Sequence, residues 1–266
     1  MSFVLDPDKG AVLFACGHKG AGKSKWVEWY FRHYPYPRLV IDANGDVDPE
    51  GAFTEWYDPT VELVVPAQQG RPPLYRSPTP DLVAWAESRG GRPGYWPSWR
   101  YEVDHSDPHW RQVVDAIIGE PPSRRRQGSG LLGLDMPTAV WVDEIGEFDP
   151  VGQTPARFSE ALHKSRHARL TLMMSGPRPK GVDPLCLSQA DLVAMFDTPH
   201  VLDRSRLAET LSLPLDELSS LLDNLDEHGY LLFEGPPERT LSVMPPLPLE
   251  DLARRDQRGE LGRPER

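Results

Sequence analysis

The chain has 266 residues, of which 39% are hydrophobic and 26% are charged, and its formal net charge is −11. A chain of this length can bury a sizeable core in one large domain or two small ones. The acidic balance argues against a surface that is basic throughout, the simplest form of a nucleic-acid-binding protein, and leaves room for a local basic track.

The targeting features of the sequence indicate a cytoplasmic protein. No apolar run approaches the roughly 20 residues that a membrane-spanning helix needs, so we expect no transmembrane segment. The stretch MSFVLDPDKG has acids where an export signal has basic and then apolar residues. Cys16 and Cys186 are too few for a disulfide framework or a zinc site, and we predict that both are reduced core residues.

Short apolar runs predict buried strands, and apolar residues at helical spacing predict helices between them. The predicted strands cover residues 11–16, 38–42, 63–65, 99–103, 138–142, 170–174, 192–196 and 230–233. The predicted helices cover residues 24–34, 79–87, 108–118, 156–167, 203–211 and 215–228. Such alternation is typical of an α/β fold, with a mainly parallel sheet covered by helices on both faces.

The domain organisation follows from where this alternation holds. We assign residues 1–235 to one core, with a variable region at about residues 50–130. Within that region GEPPSRRRQGSG has no apolar periodicity and is predicted to be a loop or a disordered insert. Prolines and then a charged run predict that residues 236–266 form a disordered tail.

A glycine-rich loop, GHKGAGKS, lies between the first predicted strand and the first predicted helix and fits the pattern G-x-x-x-x-G-K-[ST]. The backbone N–H groups of such a loop and the following helix N-terminus bind phosphate oxygens. Lys23 is expected to reach the terminal phosphates of ATP, and the Ser24 hydroxyl to ligate Mg²⁺. The alternative is a glycine turn without a ligand, and for His18 a solvated loop histidine. The predicted nucleotide-binding residues are Gly17, His18, Lys19, Gly20, Ala21, Gly22, Lys23 and Ser24.

An acidic pair, Asp143 and Glu144, directly follows the predicted strand TAVWV. Asp143 is placed to hold Mg²⁺ through a water, and Glu144 to polarise the water that attacks the terminal phosphate. A small-molecule kinase has no use for such a base, so the pair predicts hydrolysis. The alternative is two acids in a polar loop; Asp42 and Asp46 are rival acids, but no glutamate follows Asp42.

With these motifs the chain resembles the FtsK/HerA superfamily of ring-forming P-loop ATPases, which pump or pull DNA. The resemblance rests on GHKGAGKS, on AVWVDEIGEF and on the block KSRHARLTLMMSGPRPKGVDP, and it covers about residues 10–235. It implies a RecA-like P-loop NTPase core that hydrolyses ATP with Mg²⁺.

The resemblance also suggests roles for residues outside the two motifs. Where the superfamily has a glutamine that senses the terminal phosphate, this chain has Pro177, which has no side-chain donor; Ser175 is a candidate substitute. In the superfamily an arginine of one subunit completes the site of its neighbour. Arg166 is the first candidate for this catalytic role and Arg169 the second, and a solvated arginine at a helix end is the alternative for each.

Among superfamily members, the chain most resembles the small genome-packaging ATPases of viruses and phages. This resemblance implies a motor that translocates double-stranded DNA into a capsid, acts as a homo-oligomeric ring such as a hexamer, and docks on a capsid or membrane vertex complex. A viral member would work in the host cytoplasm or in the virion. The alternatives are an ATPase for plasmid transfer or filamentous phage assembly, and a nucleotide-gated binding module with negligible turnover.

Two further segments are candidates for holding DNA. The adjacent residues Arg124, Arg125 and Arg126 are candidate phosphate contacts, although a solvated charge run is the alternative. The helix pair before YLLFEG has the element order of a winged helix, but its second helix is acidic. We therefore interpret that segment as the closing part of the ATPase core.

Overall fold

A computed structural model describes residues 6, 8–36, 38–45, 47, 55–56, 62–66, 68, 74–76, 98–118, 137–237 and 239–247. The predicted helix at residues 79–87, the predicted insert with Arg124, Arg125 and Arg126, and the residues of the tail beyond 247 lie outside this part.

Strands and helices alternate over the described chain. The strands are β1 (Val12–Cys16), β2 (Arg38–Asp42), β3 (Glu55–Trp56), β4 (Glu62–Val65), β5 (Leu74–Arg76), β6 (Ser98–Glu102), β7 (Thr138–Val142), β8 (Leu170–Gly176), β9 (Leu192–Met195), β10 (Tyr230–Glu234) and β11 (Thr240–Met244). The helices are α1 (Lys23–His33), α2 (Trp110–Ile118), α3 (Ile145–Phe148), α4 (Ala156–Ala168), α5 (Pro184–Ser188), α6 (Val201–Leu211) and α7 (Leu215–Asp223).

Among the described residues, nine strands form one sheet in the order β11-β10-β9-β1-β8-β7-β2-β6-β3. The strands from β9 to β3 are parallel, and β10 and β11 are added antiparallel at one end. A separate antiparallel pair joins β4 and β5. Because the central strands are parallel, the loops that follow β1, β7, β8 and β9 meet at one edge of the sheet, which we call the carboxyl edge.

The side chains of the sheet alternate between two cores. On β1, Phe14 and Cys16 face the core that also contains residues of α2 to α7, whereas Leu13 and Ala15 face the core that contains α1. Trp26 of α1 is fully buried against that second face, and burying a large apolar side chain stabilises the fold by roughly 2–3 kcal/mol. Helices thus cover both faces, and the predicted α/β architecture is confirmed.

Several local features differ from the sequence expectation. The last helix, α7, ends at Asp223 rather than at residue 228, because a tight turn with Gly229 N–H donating to the Asp226 carbonyl leads directly into β10. The short helix α3, which was not predicted, begins directly after Glu144. The expectation of disorder from residue 236 is wrong for Thr240–Met244, because this segment pairs antiparallel with β10 as β11. The strand predicted near residue 63 is part of the β4–β5 pair, not of the main sheet.

Candidate functional site

The glycine loop lies at the carboxyl edge, between the end of β1 and the start of α1. Gly17 and Gly22 have positive φ angles, 149° and 110°. A Cβ atom on Gly17 would lie 2.7 Å from Cβ of Phe196, and one on Gly22 would lie 3.1 Å from the Phe196 ring. The loop therefore needs glycine at these positions, both for its backbone angles and for its close packing on Phe196.

Lys23 begins α1 and is 7% exposed. Its Nζ donates a hydrogen bond to the His18 carbonyl at 3.0 Å, which holds the ammonium group across the loop. Burial lowers the pKa of Lys23, while the charges of Glu144 and Asp143 act in the opposite direction. The fold therefore brings the lysine of the first motif and the acids of the second into one electrostatic environment.

Most of the remaining loop residues are exposed to solvent. His18, Lys19 and Gly20 are exposed, as is Ser24 on the first turn of α1, while Ala21 is buried. His18 donates its backbone N–H to the Asp197 carbonyl at 2.9 Å, and its Nδ1 lies 3.3 Å from the Asp197 carboxylate. The loop is thus fastened to the segment after β9 by the backbone and the side chain of His18.

The acidic pair follows β7 at the same edge of the sheet. Asp143 is 4% exposed, and its backbone N–H donates to the Ile41 carbonyl of β2 at 3.0 Å. Glu144 has a left-handed backbone, with φ of 48°, which is strained for a residue with a side chain. This turn lifts Glu144 off the strand before α3 begins.

A chain of buried hydrogen bonds lies below Asp143. Trp141 donates its Nε1–H to Oγ of Ser175 at 2.9 Å, and the Ser175 hydroxyl donates to Oδ1 of Asp143 at 2.5 Å. Ser175 is 1% exposed, and its hydroxyl is directed at Asp143. The candidate substitute for the missing glutamine instead fixes the orientation of Asp143.

The turn after β8 carries a cation, Arg178, which belongs to the block KSRHARLTLMMSGPRPKGVDP. Pro177 follows the strand, and the guanidinium of Arg178 lies 3.6 Å from the carboxylate of Asp203. Asp203 is buried and also accepts the backbone N–H of Lys180 at 3.0 Å. Arg178 is therefore tethered at the carboxyl edge with its side chain 59% exposed.

Arg166 and Arg169 lie at the opposite, amino edge of the sheet. Arg166 forms an ion pair with Asp191, which also accepts the N–H of Val12 at the start of β1. Arg169 pairs with Asp8 at 3.0 Å. A five-residue strand is roughly 16 Å long, so the structure does not bring either arginine to the glycine loop of its own chain.

The carboxylate of the rival acid Asp42 is engaged in hydrogen bonds and an ion pair close to its own strand. It is fully buried, accepts the backbone N–H groups of Gly45 and Val47, and pairs with Arg100 at 2.7 Å. Asp42 therefore closes the turn after β2, and Asp46 lies outside the described residues.

The side-chain oxygen atoms at the carboxyl edge are suitable ligands for Mg²⁺. The Ser24 hydroxyl is exposed and the Asp143 carboxylate is held by Ser175. Hydroxyl and carboxylate oxygens, completed by water and phosphate, are the ligands that Mg²⁺ takes in nucleotide sites. When bound, Mg²⁺ would neutralise charge on the phosphates.

The fold and the loop together define an α/β P-loop NTPase fold, as predicted. By sequence, no known family model matches the chain, and no curated protein matches it. By structure, the chain is similar to the genome packaging NTPase B204 of Sulfolobus turreted icosahedral virus 2 in complex with AMP, with a TM-score of 0.62 and 18% identity over 91% of this chain and 100% of that one.

Two further structures show the same similarity. The complex of that NTPase with ATP-γS has a TM-score of 0.60 and 19% identity, over 91% of this chain and 100% of that one. The DNA-packaging ATPase B204 of Sulfolobus turreted icosahedral virus has a TM-score of 0.57 and 15% identity over the same shares. The predicted resemblance to packaging ATPases is thus confirmed in fold.

In the part of the chain that the structure describes, no helix is long and apolar enough to span a membrane.

Proposed function

We propose that the protein is an ATP-hydrolysing motor that translocates double-stranded DNA and packages a viral or phage genome into a capsid. The observation that carries this proposal is that the parallel sheet places two motifs at its carboxyl edge: the glycine loop with the buried Lys23 after β1, and Asp143 and Glu144 after β7. The structural similarity to genome-packaging NTPases supports the choice of a packaging motor over other ATPases.

The residues of this site divide the chemistry between them. The loop N–H groups and Lys23 would bind the phosphates of ATP, and Ser24 and Asp143 would hold Mg²⁺. Glu144, at the strained turn after β7, would orient the attacking water and accept its proton. Pro177 occupies the position of the superfamily's glutamine. The next residue, Arg178, is a cation that pairs with Asp203 at the same edge.

The proposed partners follow from the need to complete the site. Arg166 would act on the site of an adjacent copy, because it lies at the far edge of its own sheet, and this requires a homo-oligomeric ring. DNA would be gripped through its phosphates, largely without readout of sequence. We propose the host cytoplasm or the virion as its location, and a capsid or membrane vertex complex as its docking partner.

The test is the steady-state rate of ATP hydrolysis by the purified full chain, with and without double-stranded DNA, with Lys23→Ala as the blank. We expect hydrolysis that DNA stimulates several-fold and that Lys23→Ala abolishes. Hydrolysis that ignores DNA would contradict the motor and favour a protein-assembly ATPase. ATP binding without turnover would contradict both and favour a nucleotide-gated binding module.

A further inference from the structure

The turn that carries Glu144 depends on its surroundings for its shape. Glu144 has a left-handed backbone, and such a conformation persists only where the neighbouring structure enforces it. The helix that follows, α3, has four residues, and a helix this short is not stable by itself in water. The position of Glu144 is therefore set partly by the contacts that hold α3 and its far end.

One face of α3 packs closely on the turn that follows β8. A Cβ atom on Gly176 would lie 3.1 Å from Cγ2 of Ile145, and one on Gly146 would lie 3.6 Å from Cγ2 of Val182. The absence of a side chain at both glycines lets the two segments approach each other. Because this turn also carries Arg178, the segments after β7 and β8 form one packed unit at the carboxyl edge.

The backbone of Asp149 joins the far end of α3 to the chain beyond that turn. The Asp149 carbonyl accepts the backbone N–H of Asp183 at 3.1 Å, and next to this bond Pro150 and Val182 form an antiparallel β-bridge. The carboxylate of Asp183 in turn accepts the N–H of Gly152 at 3.0 Å. The segment after α3 is thus fastened to residues 182–183 at several points.

The side chain of Asp149 adds a buried contact to this junction. Its Oδ2 accepts a hydrogen bond from the Cys186 thiol of α5 at 3.0 Å, and both residues are 0% exposed. Burial raises the pKa of Asp149, while the thiol acts in the opposite direction. An apolar side chain of similar size would cost less to bury than this carboxyl group, so packing alone does not account for an acid here.

We infer that Asp149 is a positioning residue for ATP hydrolysis, because it fastens α3, and with it Glu144, to the segment after β8. The inference rests on the proposed role of Glu144 and deepens it. Asp149 acts through the placement of the base rather than by contact with ATP. A base displaced by a fraction of an ångström loses much of its effect on the attacking water, whereas phosphate binding on the glycine loop is unaffected.

The test measures two quantities for the full chain with Mg²⁺: the single-turnover rate of ATP cleavage and the dissociation constant of a non-hydrolysable ATP analogue. Asp149→Leu removes the hydrogen-bonding side chain at similar volume, and Asp149→Asn keeps an acceptor for the thiol. A second pair, Cys186→Ala and Cys186→Ser, removes or keeps the donor without changing Asp149. This second pair decides the outcome if Asp149→Leu fails to fold.

Asp115→Leu is the matched control. Asp115 is also an acid whose burial raises its pKa, but its carboxylate accepts the Phe158 N–H at the start of α4 rather than a group of α3 or of the turn after β8. Its replacement should therefore change stability without changing the rate of cleavage. Urea unfolding of every variant identifies the conditions under which each is fully folded.

We expect Asp149→Leu to cleave bound ATP about tenfold or more slowly than wild type, with analogue affinity within about twofold. Asp149→Asn should stay within about threefold of the wild-type rate. Cys186→Ala should be about threefold slower, because Asp149 then lacks its donor, and Cys186→Ser should recover the loss. Asp115→Leu should cleave at the wild-type rate.

Several results would overturn the inference alone. Wild-type cleavage by both Asp149→Leu and Cys186→Ala would show that the junction does not position Glu144. A loss of rate that Asp115→Leu shares, or one that a parallel loss of analogue affinity explains, would reduce Asp149 to a structural residue. If wild type binds the analogue but cleaves no ATP, the proposed function fails together with the inference.

Discussion

The two edges of the sheet use the same kinds of charged residue in different settings. At the carboxyl edge Lys23 and Asp143 are 7% and 4% exposed, and they are held by a loop carbonyl and by Ser175. At the amino edge the Arg166–Asp191 and Arg169–Asp8 pairs have arginines that are 63% and 33% exposed.

This difference indicates which edge carries chemistry. Burying a charged side chain costs folding free energy unless the charge is paired or binds a ligand. An exposed ion pair contributes only about 0–1 kcal/mol to stability. The buried charges at the carboxyl edge therefore need a functional explanation, and the exposed pairs at the amino edge do not. Arg166 is the test of this comparison, because the family resemblance predicts a catalytic role for it and the fold places it at the amino edge.

Replacing Arg166 tests whether the amino edge of one copy serves the carboxyl edge of another. We expect Arg166→Ala to lower kcat by about a thousandfold, because a trans arginine stabilises charge on the transferring phosphoryl group. Arg169→Ala, the neighbouring control, should change stability only slightly. Mixing the Arg166→Ala and Lys23→Ala chains should restore part of the rate, since mixed rings contain complete sites. Full activity of Arg166→Ala, or no recovery in rings shown to be mixed, would reduce Arg166 to a structural ion pair.

Gly22→Ala tests the close packing of the loop at the carboxyl edge. Its new Cβ would lie 3.1 Å from the Phe196 ring, so the loop must shift, and we expect ATP affinity to fall by about a hundredfold, which is near 2.7 kcal/mol. Gly152→Ala is the control, because Gly152 also has positive φ but nothing lies within 4 Å of its added Cβ. Both changes should cost roughly 1–2 kcal/mol of stability, measured by urea unfolding. Equal ATP affinity of the two variants would show that loop geometry is not limiting.

Ser175→Ala tests the buried hydrogen bonds below Asp143. The variant leaves Oδ1 of Asp143 without its hydroxyl donor, so we expect kcat to fall about tenfold through poorer Mg²⁺ positioning. Raising the Mg²⁺ concentration should recover part of this loss. Trp141→Phe removes the donor to Ser175 together with part of a buried ring, leaves the bond from Ser175 to Asp143, and should have a smaller effect on kcat. A normal Mg²⁺ dependence in Ser175→Ala would mean that Ser175 only packs.

Asp115 offers the most local effect, which concerns stability alone and not activity. Burial raises the pKa of Asp115 to about 6, although its carboxylate accepts the Phe158 N–H at the start of α4. A raised pKa in the folded protein means that stability is greatest below about pH 4 and is lost as pH rises through 6.

The matched change is Asp115→Asn, which keeps an acceptor but cannot ionise. Between pH 4 and pH 7 the free energy of unfolding of wild type should fall by about 2 kcal/mol relative to this variant. Chemical unfolding at several pH values measures the difference. Parallel pH profiles for the two proteins would contradict the assignment.

The strands and motifs of the carboxyl edge could be predicted because they are local signals. Arg38–Asp42 and Thr138–Val142 have the predicted bounds, since each has a short apolar centre and is buried along its whole length. The glycine loop is defined by residues that are adjacent in sequence, and Asp143 and Glu144 directly follow a strand.

The features that could not be predicted depend on contacts between distant segments. β11 is mostly exposed, and pairing with β10 makes it a strand, not an apolar pattern of its own. The role of Ser175 depends on the β7–β8 register, in which Val142 lies opposite Met174 and Asp143 comes next to Ser175. A cavity of about 390 Å³ beside the glycine loop is lined by residues as distant in sequence as His18 and Asp226, and no spacing rule links them.

The central claim is that the carboxyl edge hydrolyses ATP, and Glu144→Gln tests it most directly. The measurement is the single-turnover rate of ATP cleavage, with Glu147→Gln, an exposed acid of the adjoining helix α3, as the control. We expect Glu144→Gln to bind ATP and cleave it about a thousandfold more slowly, because it has lost the base that activates water, while Glu147→Gln cleaves at the rate of wild type. Cleavage by Glu144→Gln at the wild-type rate would contradict the account.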